Sequence, residues 1–392
     1  MPYNFDVLPQ RRGTQNAKWN AYAADVLPLW VADMDFVSPQ PVIDALRRHV
    51  DSGLFGYPNM SHGEELDFLD FRRLIVDRML NRYQWQIQPQ DIVFLPGVVV
   101  GFNLAAYAIC APGEALLVQP PIYPPMLTAA ATTQRSRVDA PLTRQPDGSY
   151  TVDWGVFESA ITADTRLFLL CNPHNPIGRV YTRDELSKMA EICLRRDLVI
   201  VSDEIHSDLI YRGYHHSPMA SLGPAIAART ITLIAPSKTF NLPGLQCAIA
   251  IIPNADLRQK YNAAKQGLVP WVNLLGLIAG ETAYRDGQAW LDQVLVYLES
   301  NRDFLYDFVR RDLPSIKMAR PQGTYLAWLD CREAGIDGNP YQFFLDKARV
   351  AVSDGASFGP GGEGFVRLNF ASPRAMLAEA LDRMKTALSQ PA

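Results

Sequence analysis

The sequence has few cysteines, and none of them forms a C-x-x-C pair. Zinc sites and redox-active disulfides usually need such closely spaced thiols, so the pattern argues against both. The number of cysteines is odd, which indicates reduced thiols and a cytoplasmic location. The five residues are Cys110, Cys171, Cys193, Cys247 and Cys331.

Neither sign of charge is in large excess, since the formal net charge is −4. This balance argues against nucleic acid or a membrane surface as a partner. Long apolar runs are also lacking. The longest, residues 97–111, is interrupted by Asn103 and falls short of the ~20 residues of a membrane span. The first residues show no basic segment before an apolar run, so we expect no signal peptide.

What is present is the composition of a globular chain, with 48% hydrophobic and 20% charged residues. Such a composition excludes extensive disorder. The length of 392 residues favours two domains, at ~150 residues per domain. We find no internal repeat and no low-complexity segment.

Short apolar runs alternate with helical patterns through the middle of the chain. Thr182 and Glu185 have the spacing of a capping box and predict the start of a helix, and residues 98–109 predict another. The alternation predicts an α/β fold with a mostly parallel sheet that is buried on both faces. The predicted strands are residues 91–95, 115–118, 167–171, 198–201, 230–235 and 248–252.

The pattern changes to longer helices after about residue 268. Residues 290–311 and 372–388 predict helices, and residues 324–329 and 365–370 predict strands of a second sheet. We therefore expect three parts. Residues 1–48 form an N-terminal arm and part of a small domain, residues 49–285 form the large domain, and residues 286–392 form the small C-terminal domain.

Three patterns suggest sites that their context does not support. Residues 359–364 match G-x-G-x-x-G but precede a predicted strand, so we interpret them as a loop and not as a dinucleotide site. Asp33 and Asp35 alone rarely make a metal site. His215 and His216 lie in a polar segment, and we expect them to be solvated. The sequence thus predicts no metal site.

Two charged residues follow apolar strands, where a charge without a partner is energetically unfavourable. Lys238 lies just past the strand at residues 230–235, before a turn rich in glycine and proline. A partly buried lysine has a lowered pKa and can form a Schiff base. Asp203 follows the strand at residues 198–201, and a buried carboxylate needs a cationic partner. A protonated pyridine nitrogen would be such a partner.

Four further features have side chains or backbone suited to ligand binding. Asn175 offers an amide in a turn at a strand end, and residues 96–99 begin a helix whose N–H groups can bind phosphate. Tyr123 offers a ring for stacking, and Arg367 is suited to bidentate capture of a carboxylate. Each feature alone also fits a structural role, but their joint occurrence favours one ligand site at the carboxyl ends of the strands.

With these residues in place, the chain resembles a fold-type I pyridoxal-phosphate enzyme of the aspartate aminotransferase superfamily. Within that superfamily it is most similar to the cystathionine β-lyase group typified by MalY and PatB. The resemblance covers nearly the whole chain. It rests on LWVADMDF (29–36), FGY (55–57), SDEIH (202–206), SKTFN (237–241) with Gly244, TYLAWLD (324–330) and GFVRLN (364–369).

The resemblance implies that pyridoxal 5'-phosphate is the cofactor and that most of these residues hold it. Lys238 would carry the Schiff base, Asp203 would pair with the pyridine nitrogen, Asn175 would contact the ring's 3-oxygen, and Tyr123 would stack on the ring. The backbone N–H groups of Gly97, Val98 and Val99 would hold the phosphate with help from Ser237.

The resemblance also implies residues for substrate binding and a homodimer with shared active sites. Arg367 would bind the α-carboxylate of an amino-acid thioether, and Asp33 would lie beside the substrate. Tyr57 would reach into the site of the partner subunit as a catalytic and substrate-binding residue. Two positions depart from the aminotransferase pattern: Gln246 stands where a phosphate-binding arginine is common, and His206 stands in place of a tyrosine near the cofactor.

The function implied is a carbon–sulfur β-lyase of the cytoplasm. It would cleave L-cystathionine or a related cysteine S-conjugate to a thiol, pyruvate and ammonia, as in methionine biosynthesis. The sequence leaves the preferred conjugate and the pathway open. Two alternatives stay open as well: an aminotransferase that needs a 2-oxo acid acceptor, and a regulator that uses the fold for protein contacts.

Overall fold

The computed structural model describes residues 3–58 and 68–389. The predicted domains also include residues 1–2, 59–67 and 390–392, and the signal-peptide prediction rests partly on residues 1–2. These residues lie outside the described part.

The α-helices are α1 Ala17–Asn20, α2 Gln40–Ser52, α3 Leu69–Tyr83, α4 Val98–Ile109, α5 Pro124–Thr132, α6 Trp154–Ala160, α7 Arg183–Arg195, α8 Pro224–Ala227, α9 Pro236–Thr239, α10 Ala255–Lys265, α11 Leu274–Asp286, α12 Gln288–Asp312, α13 Pro340–Phe343 and α14 Arg374–Ser389. The β-strands are β1 Leu27–Pro28, β2 Ile92–Leu95, β3 Ala115–Val118, β4 Ser136–Asp139, β5 Thr143–Arg144, β6 Tyr150–Thr151, β7 Thr165–Cys171, β8 Val199–Asp203, β9 Thr230–Ile234, β10 Ala248–Ile251, β11 Leu326–Asp330, β12 Val350–Ala351, β13 Ser353–Asp354 and β14 Phe365–Asn369. Among the described residues, no helix is both long enough and apolar enough to cross a membrane.

A seven-stranded mixed sheet forms the centre of the molecule, in the order β2-β10-β9-β8-β7-β3-β4. The pairs from β4 through β9 are parallel, whereas β10 is antiparallel to both β2 and β9. The predicted α/β fold with a mostly parallel sheet is therefore confirmed. The antiparallel direction of β10 was not predicted.

Helices cover both faces of this sheet, which explains why its inner strands are mostly apolar. Along β7, Leu167 and Leu169 face the core that includes α4, while Phe168 and Leu170 face the core that includes α7. Successive side chains of a strand point to opposite faces, so a strand covered on both faces needs apolar residues at every position.

The strand ends meet at one edge of the sheet, and this alignment assembles the site. Asp203 at the end of β8 is paired in register with Cys171 of β7 and Leu233 of β9. Because β10 runs the opposite way, its beginning lies at the same edge.

The C-terminal part contains a second sheet, antiparallel in the order β11-β14-β13, and the long helices α12 and α14. The N-terminal segment joins this part because β1 pairs in parallel with β12, and Phe5 and Leu29 share a core with Leu381. This arrangement is compatible with the predicted division at residues 48 and 285, which stays a prediction.

Several local predictions are confirmed by the structure. The helix at residues 98–109 has the predicted bounds, and Thr182 and Glu185 form the capping box of α7. Residues 359–364 form a loop. The strand expected at residues 324–329 instead spans Leu326–Asp330.

The expectation for the two histidines is half wrong. His215 is exposed, but His216 is buried, and its Nε2 lies 2.9 Å from a carboxylate oxygen of Glu204. Glu204 also accepts hydrogen bonds from the Ser202 hydroxyl and the Met219 N–H. These partners satisfy the buried carboxylate, so the imidazole is part of a packed polar network.

Candidate active site

A cavity of about 360 Å³ lies at the carboxyl edge of the central sheet, within the size range of small-molecule sites. Residues after β2, β7, β8 and β9 line it, together with residues before β10, Arg367 of β14 and Val31 and Ala32 of the N-terminal segment. Ten of the residues predicted from the sequence line this one cavity: Gly97, Val98, Val99, Tyr123, Asn175, Asp203, His206, Ser237, Lys238 and Arg367.

Lys238 lies on the single-turn helix α9, directly after β9. Its Nζ donates a 2.6 Å hydrogen bond to the carbonyl oxygen of Ala32. Burial, and then the nearby Arg367 guanidinium, lower the pKa of Lys238 from 10.5 to about 8. A substantial fraction of this amine is therefore neutral near pH 8, as a nucleophile or a base requires.

Asp203 ends β8 and is buried in the wall of the cavity. Its Oδ1 accepts a 3.1 Å hydrogen bond from the N–H of Ile205. Burial raises the pKa of Asp203 to about 7 because a carboxylate without a close cation is poorly stabilised there. The site thus favours a cationic group beside Asp203, and a protonated ring nitrogen has the right charge.

His206 also lines the cavity, and its ring lies edge-on to that of Tyr325 at 5.9 Å between centroids. Burial, followed by the charges of Lys238 and Arg367, lowers the pKa of His206 well below its usual value. The imidazole is therefore neutral. Its Nδ1 is buried and has no hydrogen-bond partner among the described residues.

The beginning of α4 provides a site for an anion. The helix starts at Val98 after Gly97. The N–H groups of the first turn of an α-helix have no hydrogen-bond partners within the helix. Val98, Val99 and Val100 line the cavity there, as does Ser237 on the other side. A phosphate fits such a helix start because the N–H groups and the helix dipole both favour negative charge.

Arg367 of β14 also lines the cavity and is fixed by three hydrogen bonds. Its guanidinium donates to Asn175 Oδ1 at 3.0 Å, to the carbonyl oxygen of Trp30 at 2.8 Å and to Ser353 Oγ at 3.1 Å. Burial lowers its pKa to about 10, so it is cationic at neutral pH. The Nε group is buried and has no partner among the described residues.

Tyr123 immediately precedes α5 and lines the cavity. Burial raises the pKa of its hydroxyl, and the carboxylate of Asp203 raises it further. Tyr123 is therefore an uncharged aromatic side chain close to Asp203. This is the setting in which a planar ring could stack while its nitrogen meets the carboxylate.

Two predicted residues do not line the cavity in the described part of the chain. The carboxylate of Asp33 forms ion pairs with Arg11 and Lys18. Tyr57 is 86% exposed, and its ring lies edge-on to that of Trp271 at 5.2 Å between centroids. Their predicted roles stay predictions.

The sequence reasoning missed the backbone contribution of Ala32. Its carbonyl oxygen accepts from Lys238 at 2.6 Å and from the Tyr325 hydroxyl at 3.0 Å. The segment around it was noticed only through the family resemblance, because a carbonyl group has no signature in the residue type.

Cys171 and Cys247 also line the cavity, and burial raises the pKa of Cys171 and Cys247.

The residues present fit pyridoxal phosphate. A largely neutral lysine amine can bond to an aldehyde, a carboxylate can pair with the ring nitrogen, and a helix start can hold the phosphate. Gln246 also lines the cavity. It stands at the position where the aminotransferase pattern commonly has a phosphate-binding arginine. The phosphate would therefore depend mainly on N–H groups and the Ser237 hydroxyl.

The comparisons with known proteins agree with this geometry. Residues 24–384 match the family model described as aminotransferase class I and II. The chain is 40% identical to cystathionine beta-lyase PatB of Bacillus subtilis, over 98% of this chain and 100% of that protein. It is 32% identical to the protein MalY of Escherichia coli, over 97% of each chain.

A crystal structure described as the PLP-bound C-S lyase from Staphylococcus hominis matches over 99% of each chain, with a TM-score of 0.91 and 32% identity. The resemblance to the group typified by MalY and PatB is therefore confirmed along the whole chain. The chain belongs to the class I and II aminotransferase family.

Proposed function

We propose that this chain is a pyridoxal-phosphate-dependent carbon–sulfur β-lyase. It cleaves L-cystathionine or a related cysteine S-conjugate to a thiol, pyruvate and ammonia. The observation that carries the proposal is the meeting of Lys238, Asp203, the start of α4 and Arg367 around one cavity. The choice of reaction is supported by the names of relatives that match almost the full length, cystathionine beta-lyase and C-S lyase.

The cofactor would be held by residues on three sides of the cavity. Asp203 would hold a proton at the pyridine nitrogen, and Tyr123 would stack against the ring. The N–H groups at the start of α4 and the Ser237 hydroxyl would bind the phosphate. When bound, pyridoxal phosphate supplies an electron sink for the negative charge that develops on the substrate's Cα.

Lys238 is the base in this proposal. Its pKa of about 8 leaves part of the amine neutral, and a neutral amine can accept the proton from Cα of the substrate. The Ala32 carbonyl at 2.6 Å orients Nζ, which limits the number of directions in which the proton can be taken. The electron pair left at Cα then forms the Cα=Cβ bond as the Cβ–S bond breaks, and the proton that Lys238 took from Cα passes to the thiolate. Water hydrolyses the released 2-aminoacrylate to pyruvate and ammonia.

Arg367 binds the α-carboxylate of the substrate. Its three hydrogen bonds to Asn175, Trp30 and Ser353 fix the plane of the guanidinium before substrate arrives. A planar fork at a fixed angle selects one orientation of the carboxylate. The orientation of the carboxylate sets the position of Cα relative to Lys238.

We also propose a cytoplasmic homodimer with shared active sites. Two exposed stretches, residues 54–57 and 268–271, carry large apolar side chains, and they meet where Tyr57 contacts Trp271. Exposed apolar patches of this kind are typical of protein interfaces. In the dimer Tyr57 would enter the partner's site. Homocysteine release from cystathionine would place the enzyme in methionine biosynthesis.

The test uses the purified holoenzyme with L-cystathionine and no 2-oxo acid. Pyruvate is followed with a coupled dehydrogenase, and free thiol with a chromogenic disulfide. The proposal predicts that pyruvate and thiol rise together over many turnovers. If no pyruvate forms and a 2-oxo acid is needed for turnover, the chain is an aminotransferase, the activity that gives its family its name.

A further inference from the structure

The carbonyl oxygen of Ala32 is a fixed acceptor beside the reacting amine. It accepts from Lys238 Nζ at 2.6 Å and from the Tyr325 hydroxyl at 3.0 Å. Because an amine lone pair points away from its N–H groups, the position of this oxygen sets the direction in which Lys238 can take a proton. We call residues 30–36 the wall segment. The position of its backbone therefore matters for catalysis.

Two asparagine side chains hold the backbone of the wall segment by hydrogen bonds. Asn369 Nδ2 donates at 2.7 Å to the carbonyl oxygens of both Val31 and Asp33. Asn241 donates at 2.9 Å to the carbonyl oxygens of Met34 and Phe36. The backbone on both sides of Ala32 is thus constrained by the buried amide of Asn369 and the partly buried amide of Asn241.

A cluster of charged side chains holds the same segment from the N-terminal arm. Arg11 pairs with both Asp33 and Asp35. Lys18 Nζ lies 2.7 Å from Asp35 Oδ2, and it donates at 3.2 Å to the carbonyl oxygen of Asp33. The indole N–H of Trp19 donates to Asp35 at 2.7 Å. We call Arg11, Lys18, Asp33 and Asp35 the arm cluster.

Half of the arm cluster is completely buried, since the side chains of Lys18 and Asp35 have no solvent exposure, and those of Arg11 and Asp33 are partly buried. Buried ion pairs add little stability compared with apolar residues of similar size, because desolvating the charges is costly. Their directional hydrogen bonds instead select one arrangement of the backbone. A role in positioning therefore explains this cluster better than a role in stability.

We propose that Arg11 and Lys18 are positioning residues, which hold the wall segment so that the Ala32 carbonyl orients the amine of Lys238. Neither residue touches the reacting atoms. The proposal rests on the proposed function only in taking Lys238 as the reacting amine. It assigns to Asp33 a part in this cluster and not a contact with substrate.

The proposal also predicts an electrostatic effect on Lys238. The charged groups that act on its amine are Arg367, Asp33 and Asp203. Removal of one cation from the arm cluster leaves a surplus negative charge at Asp33 and Asp35. Negative charge favours a protonated nitrogen, so the pH midpoint of the cofactor's visible absorbance should move upward.

The test compares the variants Lys18→Met and Arg11→Gln with the wild-type holoenzyme. The control is Lys385→Met, which removes an ion pair with Asp312 (Nζ–Oδ1 2.9 Å) on the surface, away from the cavity. For each protein we would measure kcat, KM, the pH midpoint of the cofactor absorbance and the thermal unfolding temperature. Arg11→Gln serves as the decisive variant if Lys18→Met does not fold.

We expect kcat to fall about 10- to 100-fold in the arm variants, because small misplacements of groups near the reacting atoms slow catalysis by such factors. KM should change little, the absorbance midpoint should rise, and the control should behave as wild type. Folded variants with wild-type kcat and midpoint would overturn the proposal and leave a structural role. A raised KM with unchanged kcat would also overturn it, in favour of substrate binding by Asp33. Because the midpoint needs no substrate, it tests the proposal even if the wild type fails the lyase assay.

Discussion

Substitution of Arg367 by lysine keeps the positive charge but removes the planar fork that the structure fixes. The guanidinium donates three hydrogen bonds, at 3.0 Å to Asn175, 2.8 Å to Trp30 and 3.1 Å to Ser353. A lysine ammonium is a compact charge with three donors on a flexible chain, so it cannot make these three bonds and also bind a carboxylate. The variant should therefore lose at least one charged hydrogen bond to the substrate.

A hydrogen bond to a charged group is worth about 1.5–3 kcal/mol. At about 1.4 kcal/mol for each tenfold change in rate, the loss corresponds to a kcat/KM lower by about 10- to 150-fold. Most of the effect should be in KM, because the carboxylate is bound equally in the ground state and the transition state. Steady-state kinetics with L-cystathionine would measure both constants.

Arg332→Lys is a matched control for this substitution. Arg332 also places its guanidinium over a phenylalanine ring, Phe365 at 4.8 Å, as Arg367 does over Phe358 at 5.0 Å. It is half exposed and does not line the described cavity, so its variant should keep wild-type constants. An Arg367→Lys enzyme with wild-type KM would show that the substrate carboxylate binds elsewhere.

Three further predictions concern cofactor binding and the packing of Gly276. Because the pKa of Asp203 is raised to about 7, cofactor affinity should increase as the pH rises through about 7 and the carboxylate ionises; a pH-independent dissociation constant would contradict this. Gln246→Arg should slow cofactor release, since it adds a cation beside the phosphate, and an unchanged rate would place the phosphate elsewhere. A Cβ on Gly276 would lie 2.1 Å from the carbonyl oxygen of Leu245, so Gly276→Ala should lower the free energy of unfolding by about 1–3 kcal/mol. Gly244→Ala, where a Cβ meets nothing within 4 Å, is its control in denaturant titrations, and equal stability of the two variants would refute the packing argument.

Features that depend on neighbouring residues were predictable from the sequence. The bounds of α4 and the capping box at Thr182 and Glu185 agree with the structure, because periodicity and capping are local properties. The gathering of Asp203 and Lys238 at one edge was also predictable, since both follow strands of a parallel sheet.

Strand pairing was less predictable because it depends on tertiary contacts. The edge strand Ser136–Asp139 was missed, since its sequence, SRVD, is mostly polar. An edge strand has one free side and does not need the apolar composition of a central strand. The antiparallel direction of Ala248–Ile251 has no signature in its residues, because both directions bury the same side chains.

The partners of buried charges were also beyond the sequence. Asp33 and Asp35 were recognised as unusual, but their cations come from Arg11 and Lys18, more than a dozen residues earlier. The partner of His216 is likewise Glu204, 12 residues earlier in the chain. Such pairs are determined by the path of the chain through space.

The most direct test of the account is the turnover of Lys238→Ala with L-cystathionine. General base catalysis by a positioned side chain contributes about 10²- to 10⁴-fold, so pyruvate formation should fall by at least about 100-fold in a folded variant. Thermal unfolding would show that the variant is folded. Pyruvate formation at the wild-type rate would contradict the assignment of Lys238 as the base, and with it the proposed mechanism.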